Sequence, residues 1–183
     1  EKVMESVKIL RAPYYTFHGT ARVKKASRSG ALDNFPKIIE NMQAISDFCN
    51  ARNVTLCLEN VEWALYNRIG VFETLASNIP NLKGVLDIKQ ARISEIPYEN
   101  YLEEMGSRLA YAHISGLDEN GKICLPHKGK FDFETLVKRL KDVGFDGALL
   151  IEVYTGDYGD ETELKTACDY MDEILYKNGV LSS

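Results

Sequence analysis

Short apolar runs that stop abruptly at a polar or charged residue recur along this chain. Tyr14-Tyr15-Thr16-Phe17 stops at His18, Val54-Thr55-Leu56-Cys57-Leu58 at Glu59, and Gly84-Val85-Leu86 at Asp87. Leu109-Ala110-Tyr111-Ala112 stops at His113, and Ala148-Leu149-Leu150-Ile151 at Glu152. Each run is brief and bounded by turn residues, which predicts a buried parallel strand. Between the runs the apolar period changes to that of a helix. Val3, Met4, Val7 and Leu10 predict a helix over 1–11. Ile38, Ile39, Met42, Ile45, Phe48 and Cys49 predict a long one that Asp33 or Asn34 caps, with Pro36 in its first turn and its end near Asn53. Further helices are expected over 71–78, stopped by Pro80, and from 94–97 to a C-terminal cap at Gly106. The last two span 133–143, between the cap Asp132 and Gly144, and 162–178.

Strand and helix in strict alternation with short connections mean a parallel sheet joined by right-handed crossovers. An open doubly wound sheet and a (β/α) barrel both satisfy that pattern. Counting back by two from each tip puts Thr16, Cys57, Val85, Tyr111 and Leu150 on the tip's own face. Phe17, Leu58, Leu86, Ala112 and Ile151 fall on the other face, against the helices. One converging layered face and one uniformly helix-covered face favour the barrel. No glycine-rich phosphate fingerprint follows any strand, which weakens the open nucleotide-binding sheet. Five strands cannot close a barrel, which needs eight and typically about 250 residues, whereas this chain has 183. The expectation is therefore an incomplete TIM-type α/β barrel, a single domain over 1–183 that lacks its N-terminal strands. The chain opens at Glu1, inside a helix and without a methionine. Three strands preceding Glu1 are the favoured explanation, and a second copy covering the open edge as a homo-oligomer is the other.

Composition narrows the function classes. A net charge of −5 and a pI near 5.3 disfavour nucleic acid as the main partner. No apolar run approaches the roughly 18 residues that cross a bilayer, and no signal peptide opens the chain. Cys49, Cys57, Cys124 and Cys168 show no CxxC or CxxH spacing, so free thiols in a reducing cytoplasm are expected. Arg22, Lys24, Lys25 and Arg28 make 21–30 a basic loop. Its plain reading is a solvated surface segment, and its sharper one a lid or anion-binding loop.

Taken singly, a charged residue at a strand end is a solvated terminus, and a lone histidine is merely hydrogen-bonded. Taken together the tips behave differently. Four successive strands present Glu59, Asp87, His113 and Glu152 at one edge. Three carboxylates on that edge repel unless a cation neutralises them. A divalent ion does so, and the mixed oxygen and nitrogen set suits Mn²⁺, Mg²⁺, Co²⁺ or Zn²⁺.

At these residues the chain resembles the xylose isomerase-like TIM barrels, the sugar phosphate isomerase/epimerase group that includes AP-endonuclease-like enzymes. The likeness rests on Cys57-Leu-Glu-Asn60, Leu86-Asp-Ile-Lys-Gln-Ala91, Ala112-His-Ile-Ser115, Leu125-Pro-His-Lys-Gly-Lys-Phe-Asp-Phe133 and Ile151-Glu-Val-Tyr154. It covers nearly the whole chain and matches strands four to eight of that fold. The resemblance implies one divalent metal held by Glu59, Asp87, His113 and Glu152. It further implies that Glu59 and Glu152 form the acid/base pair of an enediolate isomerase or epimerase acting on a sugar or sugar-like polyol, with Asp87 and His113 mainly structural. By the same likeness His18 is a substrate contact or a ligand to an extra metal. Just beyond the strand ends, Trp63, Gln90 and Tyr154 are placed to stack on or hydrogen-bond a polyol, though Trp63 equally suits packing of its loop. Lys89 is expected to point away, because it shares Asp87's parity only if the strand continues. Lys128, with Gly129 and Lys130, lies where barrels often hold phosphate, or else in a solvated loop.

The departures count too. Many members carry histidine three residues after the aspartate, where this chain has Gln90, and His127 stands where a first glycine is usual. Gln90, and the lack of an Asp-x-His pair in the loop before His127, remove ligands from the alternative of an AP-endonuclease-like phosphodiesterase with a three-metal cluster. An inosose dehydratase-type lyase shares the enediol chemistry and stays open, as does an inactive barrel fragment.

Overall fold

The computed structural model describes residues 2–19 and 35–181. The basic segment 21–30 and the candidate caps Asp33 and Asn34 lie outside the described residues. Among the described residues the chain runs α1 (Lys2–Leu10), β1 (Tyr14–Phe17), α2 (Phe35–Asn50), β2 (Thr55–Glu59), α3 (Val71–Asn78) and β3 (Lys83–Asp87). It continues with α4 (Ile88–Ile93), α5 (Tyr98–Met105), β4 (Leu109–Ile114), the short β5 (Gly116–Leu117) and β6 (Ile123–Cys124), α6 (Phe133–Asp142), β7 (Ala148–Ile151) and α7 (Glu161–Lys177).

The long strands pair in parallel in the order β1-β2-β3-β4-β7 and curl into a half-barrel. That order decides between the two architectures left open by the alternation. A doubly wound sheet reverses its strand order part-way, whereas a barrel adds each strand beside the last. Register sets Asp87 level with His113, while Glu59 lies opposite Val85, two residues short of Asp87, and His113 opposite Leu150, two residues short of Glu152. The ladder reaches one residue past β7, where the Glu152 amide donates to the Ile114 carbonyl at 2.9 Å.

Strand parity follows the sequence. Leu56, Leu58, Leu86 and Ala112 are fully buried in the main core with Phe72 and Leu75 of α3 and Leu102 and Met105 of α5. Each leucine so buried contributes about 1.5–3 kcal/mol relative to exposure. Cys57, Val85 and Tyr111 form a separate small cluster on the concave face, where the Thr16 hydroxyl also bonds to the Tyr111 hydroxyl. Leu150, on the same face of β7, is 51% exposed. The concave face is thus packed at its middle strands and open at the β7 edge.

Three local features refine this picture. The chain turns helical immediately after Asp87, giving α4, because the Asp87 side chain accepts the Gln90 amide and caps it. The long helix ends at Asn50 rather than near Asn53, which sits at a left-handed φ of 57°. Within the polar segment 116–130, β5 and β6 pair as an antiparallel hairpin, and 126–128 form a 3₁₀ turn. No helix among the described residues is long and apolar enough to cross a membrane.

The β3–β4 register shifts between Gly84 and Val85, which face Leu109 and Tyr111 and leave Ala110 as the extra residue. Gly147, at the approach to β7, lies against that bulge: a Cβ there would collide with the Ala110 carbonyl oxygen. The collision is with backbone, which cannot swing aside. Gly147→Ala is therefore expected to cost about 1–3 kcal/mol in urea denaturation. Gly156→Ala, where an added Cβ meets nothing within 4 Å, should stay within about 0.5 kcal/mol of the parent.

Candidate metal centre

Each tip residue reaches the rim by a separate element. Glu59 is the last residue of β2 and Asp87 the last of β3, both at least 95% buried. His113 is the penultimate residue of β4, and Glu152 follows β7. One donor atom from each of these side chains lies within 4.8 Å of the other three. His113 Nδ1 is 3.0 Å from Glu59 Oε1, 3.7 Å from Glu152 Oε2 and 4.0 Å from Asp87 Oδ2. The sequence expectation that these four tips meet is what the geometry gives.

Neighbouring residues fix the orientation of the four. Asp87 Oδ1 accepts the Gln90 amide at 2.9 Å, which leaves Oδ2 facing the cluster. Asn60, 1% exposed, clamps two strands: its side-chain oxygen accepts the Asp87 amide at 2.7 Å, and its side-chain nitrogen donates to the Asp87 carbonyl at 2.9 Å. Glu59 is gripped on both oxygens, by His113 on Oε1 and by His18 Nε2 on Oε2 at 2.8 Å. The bonds from Gln90 to Asp87 Oδ1 and from His18 to Glu59 Oε2 engage the oxygens that do not face the cluster, the kind of contact that holds a ligand ready for an ion.

Lys89 departs from the sequence expectation. It lies inside the cluster, 6% exposed, and its Nζ donates to Glu152 Oε2 at 2.9 Å and lies 3.8 Å from Asp87 Oδ2. The strand stops at Asp87, so strand parity is not what brings it to Asp87's side. Because α4 starts at Ile88, the backbone bends before Lys89 and the side chain folds back over the rim. Among the other candidates, Trp63 sits edge-on to His18 with ring centroids 5.5 Å apart, and 41% of it is exposed. Tyr154 is more exposed still, its ring 5.1 Å from the Lys89 ammonium. Gln90 lends its side-chain oxygen to the Glu62 amide at 3.2 Å and so braces the loop after β2. Lys128 is engaged elsewhere, in an ion pair with Glu163 of α7 at 2.6 Å.

The electrostatics express the crowding. Burial pushes the Asp87 carboxyl up to about 7, and the nearby Glu152 charge adds to the shift. Glu152 moves the other way: burial alone would raise it, but Lys89 and the hydrogen bond with Asp87 outweigh burial and lower it. Of this pair Asp87 keeps the proton. Burial likewise works against a charged His113, yet Glu59, Glu152 and Asp87 together raise its pKa. A rim that must hold protons to tolerate its own acids fits a divalent cation by chemistry as well as by shape.

A family model described as xylose isomerase-like TIM barrel matches residues 1–174. The chain belongs to that family. No curated protein sequence matches it. Among solved structures it is similar to a D-psicose 3-epimerase from Clostridium cellulolyticum H10 crystallised with D-tagatose, at 17% identity and a TM-score of 0.74. That match covers 95% of this chain and 68% of the epimerase. The IolI protein, crystallised with a bound zinc atom, matches at 17% identity and a TM-score of 0.73, over 100% of this chain and 69% of that one. A family 2 AP endonuclease from Brucella melitensis matches at 15% identity and a TM-score of 0.68, over 94% and 65%. The chain thus spans about two thirds of the length of these solved structures.

The charge pattern sets a pH dependence. Asp87 is raised from 3.8 to about 7 in the folded chain, so between those values the fold holds a proton that the unfolded chain has released. Stability therefore falls as pH rises through that window. His113, raised from 6.5, contributes stability that is complete below that value and is lost as pH rises through its folded pKa. The lowered Glu152 acts only at lower pH, below its ordinary 4.5. In chelator, the urea midpoint is expected to fall from about pH 5 to about pH 8, and saturating Mn²⁺ should remove the decline. A midpoint that rises over this range in chelator would contradict the assignment.

Proposed function

We propose that the protein is a divalent-metal-dependent isomerase or epimerase of a sugar or sugar-like polyol, with Glu59 and Glu152 as its acid/base pair. The observation that carries this reading is the convergence of Glu59, Asp87, His113 and Glu152 donor atoms within 4.8 Å of one another at a strand-end rim. The likeness to a D-psicose 3-epimerase supports the substrate class, and the zinc in the IolI protein supports the kind of ion. Mn²⁺, Mg²⁺, Co²⁺ and Zn²⁺ all suit this donor set.

Held by Glu59, Asp87, His113 and Glu152, the ion would supply Lewis acidity that draws electron density from a carbonyl oxygen. The chain's own residues move the protons. One glutamate takes the hydrogen next to the carbonyl as a proton, and the C–H electron pair becomes the carbon–carbon double bond of an enediolate. The other, protonated, returns a proton from the opposite side, so the product is an isomer and nothing is oxidised or reduced. The two glutamates are unequal in setting. Glu59 is buried and gripped by His18 and His113, whereas the Glu152 side chain is 39% exposed. Glu152 can therefore exchange its proton with solvent between turnovers. Trp63 and Tyr154 offer exposed ring faces beside His18 and Lys89, where a polyol carbon face can stack.

The phosphodiesterase alternative draws on the likeness to the Brucella protein. Against it, the position where family members carry a further histidine ligand is Gln90, whose side-chain oxygen accepts the Glu62 amide. An enediol lyase of the inosose dehydratase type would use the same pair, with loss of a hydroxyl in place of reprotonation.

Ketoses and their phosphates incubated with the protein and Mn²⁺ in D₂O are expected to gain deuterium at a single carbon. Glu59→Gln and Glu152→Gln should each reduce that exchange by about 10²–10⁴-fold. No exchange with any ketose, or full exchange in Glu59→Gln, would refute the reading.

A further inference from the structure

Lys89 has no place among the metal ligands or in the acid/base pair, yet it is among the most buried charged groups of the described residues. Its ammonium contacts the same two oxygens that face His113 Nδ1: Glu152 Oε2 at 2.9 Å and Asp87 Oδ2 at 3.8 Å. Those are the atoms a divalent ion would have to take. Lys89 is itself a buried residue of α4, so its side chain starts from the rim. Nζ also lies over the Tyr154 ring face, 5.1 Å from its centroid.

We propose that Lys89 is a tethered cation that shares the acidic rim with the metal, holding the fold together without an ion and weakening the ion's binding when one enters. The inference rests on the metal-centre reading above. Two physical terms make it up. Without an ion, the ammonium offsets part of the repulsion among Glu59, Asp87 and Glu152, which would otherwise be left uncompensated in a buried setting. With an ion, a positive charge on the same oxygens repels it and competes for their lone pairs, whether the ammonium stays or shifts toward Tyr154. Lys89 therefore determines how tightly this rim keeps a metal.

The test compares the parent protein with Lys89→Met, Lys89→Gln and Lys89→Arg by calorimetric titration with Mn²⁺, alongside melting temperatures in chelator and in Mn²⁺. Met keeps the stem without the charge, and Gln keeps a donor for Glu152 as well, which guards against a variant that fails to fold without metal. Both neutral variants are expected to bind Mn²⁺ about tenfold tighter or more, to melt lower in chelator, and to gain more from the ion than the parent does. Lys89→Arg should stay within about threefold of the parent, since it keeps the charge. Binding detectable only in the neutral variants would be the same effect in stronger form. Unchanged or weaker Mn²⁺ affinity in both neutral variants overturns the proposal and leaves the metal centre standing. No Mn²⁺ binding in any of the proteins overturns the metal centre itself.

Discussion

Like charges crowded in a buried place raise one another's energy, and Glu59, Asp87 and Glu152 are crowded at one rim of this sheet. Every other feature of the site answers that constraint. Asp87 takes up a proton near neutrality, His113 is drawn toward its charged form, and Lys89 folds back to lie among the acids. A chain selected only for stability would place apolar side chains there, since a buried ionic cluster seldom improves on well-packed hydrophobic residues. The cost makes sense if the rim's purpose is to hold a cation that the protein does not itself provide.

The sheet delivers the groups to that rim. Parallel strands in sequential order put every carboxyl end at one edge, so four side chains far apart in sequence meet there although their strands are staggered by two residues at Glu59 and at Glu152. Asn60 ties two of these strands by binding both the amide and the carbonyl of Asp87 across the β2–β3 boundary. His18, just past the first strand, then locks Glu59 from the side opposite His113. Packing of the convex face by Leu56, Leu58, Leu86 and Ala112 anchors the strands themselves. The chemistry is thus carried by polar tips on an apolar scaffold, the division of labour general to barrels.

Much of this was legible in the chain because two simple periodicities carry it. Runs ending at Glu59, Asp87, His113 and Glu152 announced both the strands and the cluster, and parity separated Cys57, Val85 and Tyr111 from Leu58, Leu86 and Ala112. Parity failed where the backbone stops being a strand. Lys89 is expected outward because it shares Asp87's face only in a continued strand; the strand does stop at Asp87, but the helix that the Asp87 side chain caps brings Lys89 back over the rim. An aspartate ahead of Ile88-Lys-Gln-Ala91 was the available signal for that cap, masked by its stronger role as a strand tip. The same turn explains Gln90, whose amide caps onto Asp87 while its side chain braces the neighbouring loop. Asn60 stood within a quoted motif, but nothing in sequence reveals that a side chain will mimic a strand partner across a sheet. The Lys128–Glu163 pair joins residues 35 positions apart and so was equally hidden.

Family membership fixes the architecture and leaves the reaction to be decided by the rim. The most direct examination is a crystal structure grown with Mn²⁺ and phased on its anomalous signal. A true metal centre predicts one strong peak about 2.0–2.3 Å from Glu59 Oε1, Asp87 Oδ2, His113 Nδ1 and Glu152 Oε2. A map with no peak among these four side chains, or with manganese bound only at surface carboxylates, would contradict it.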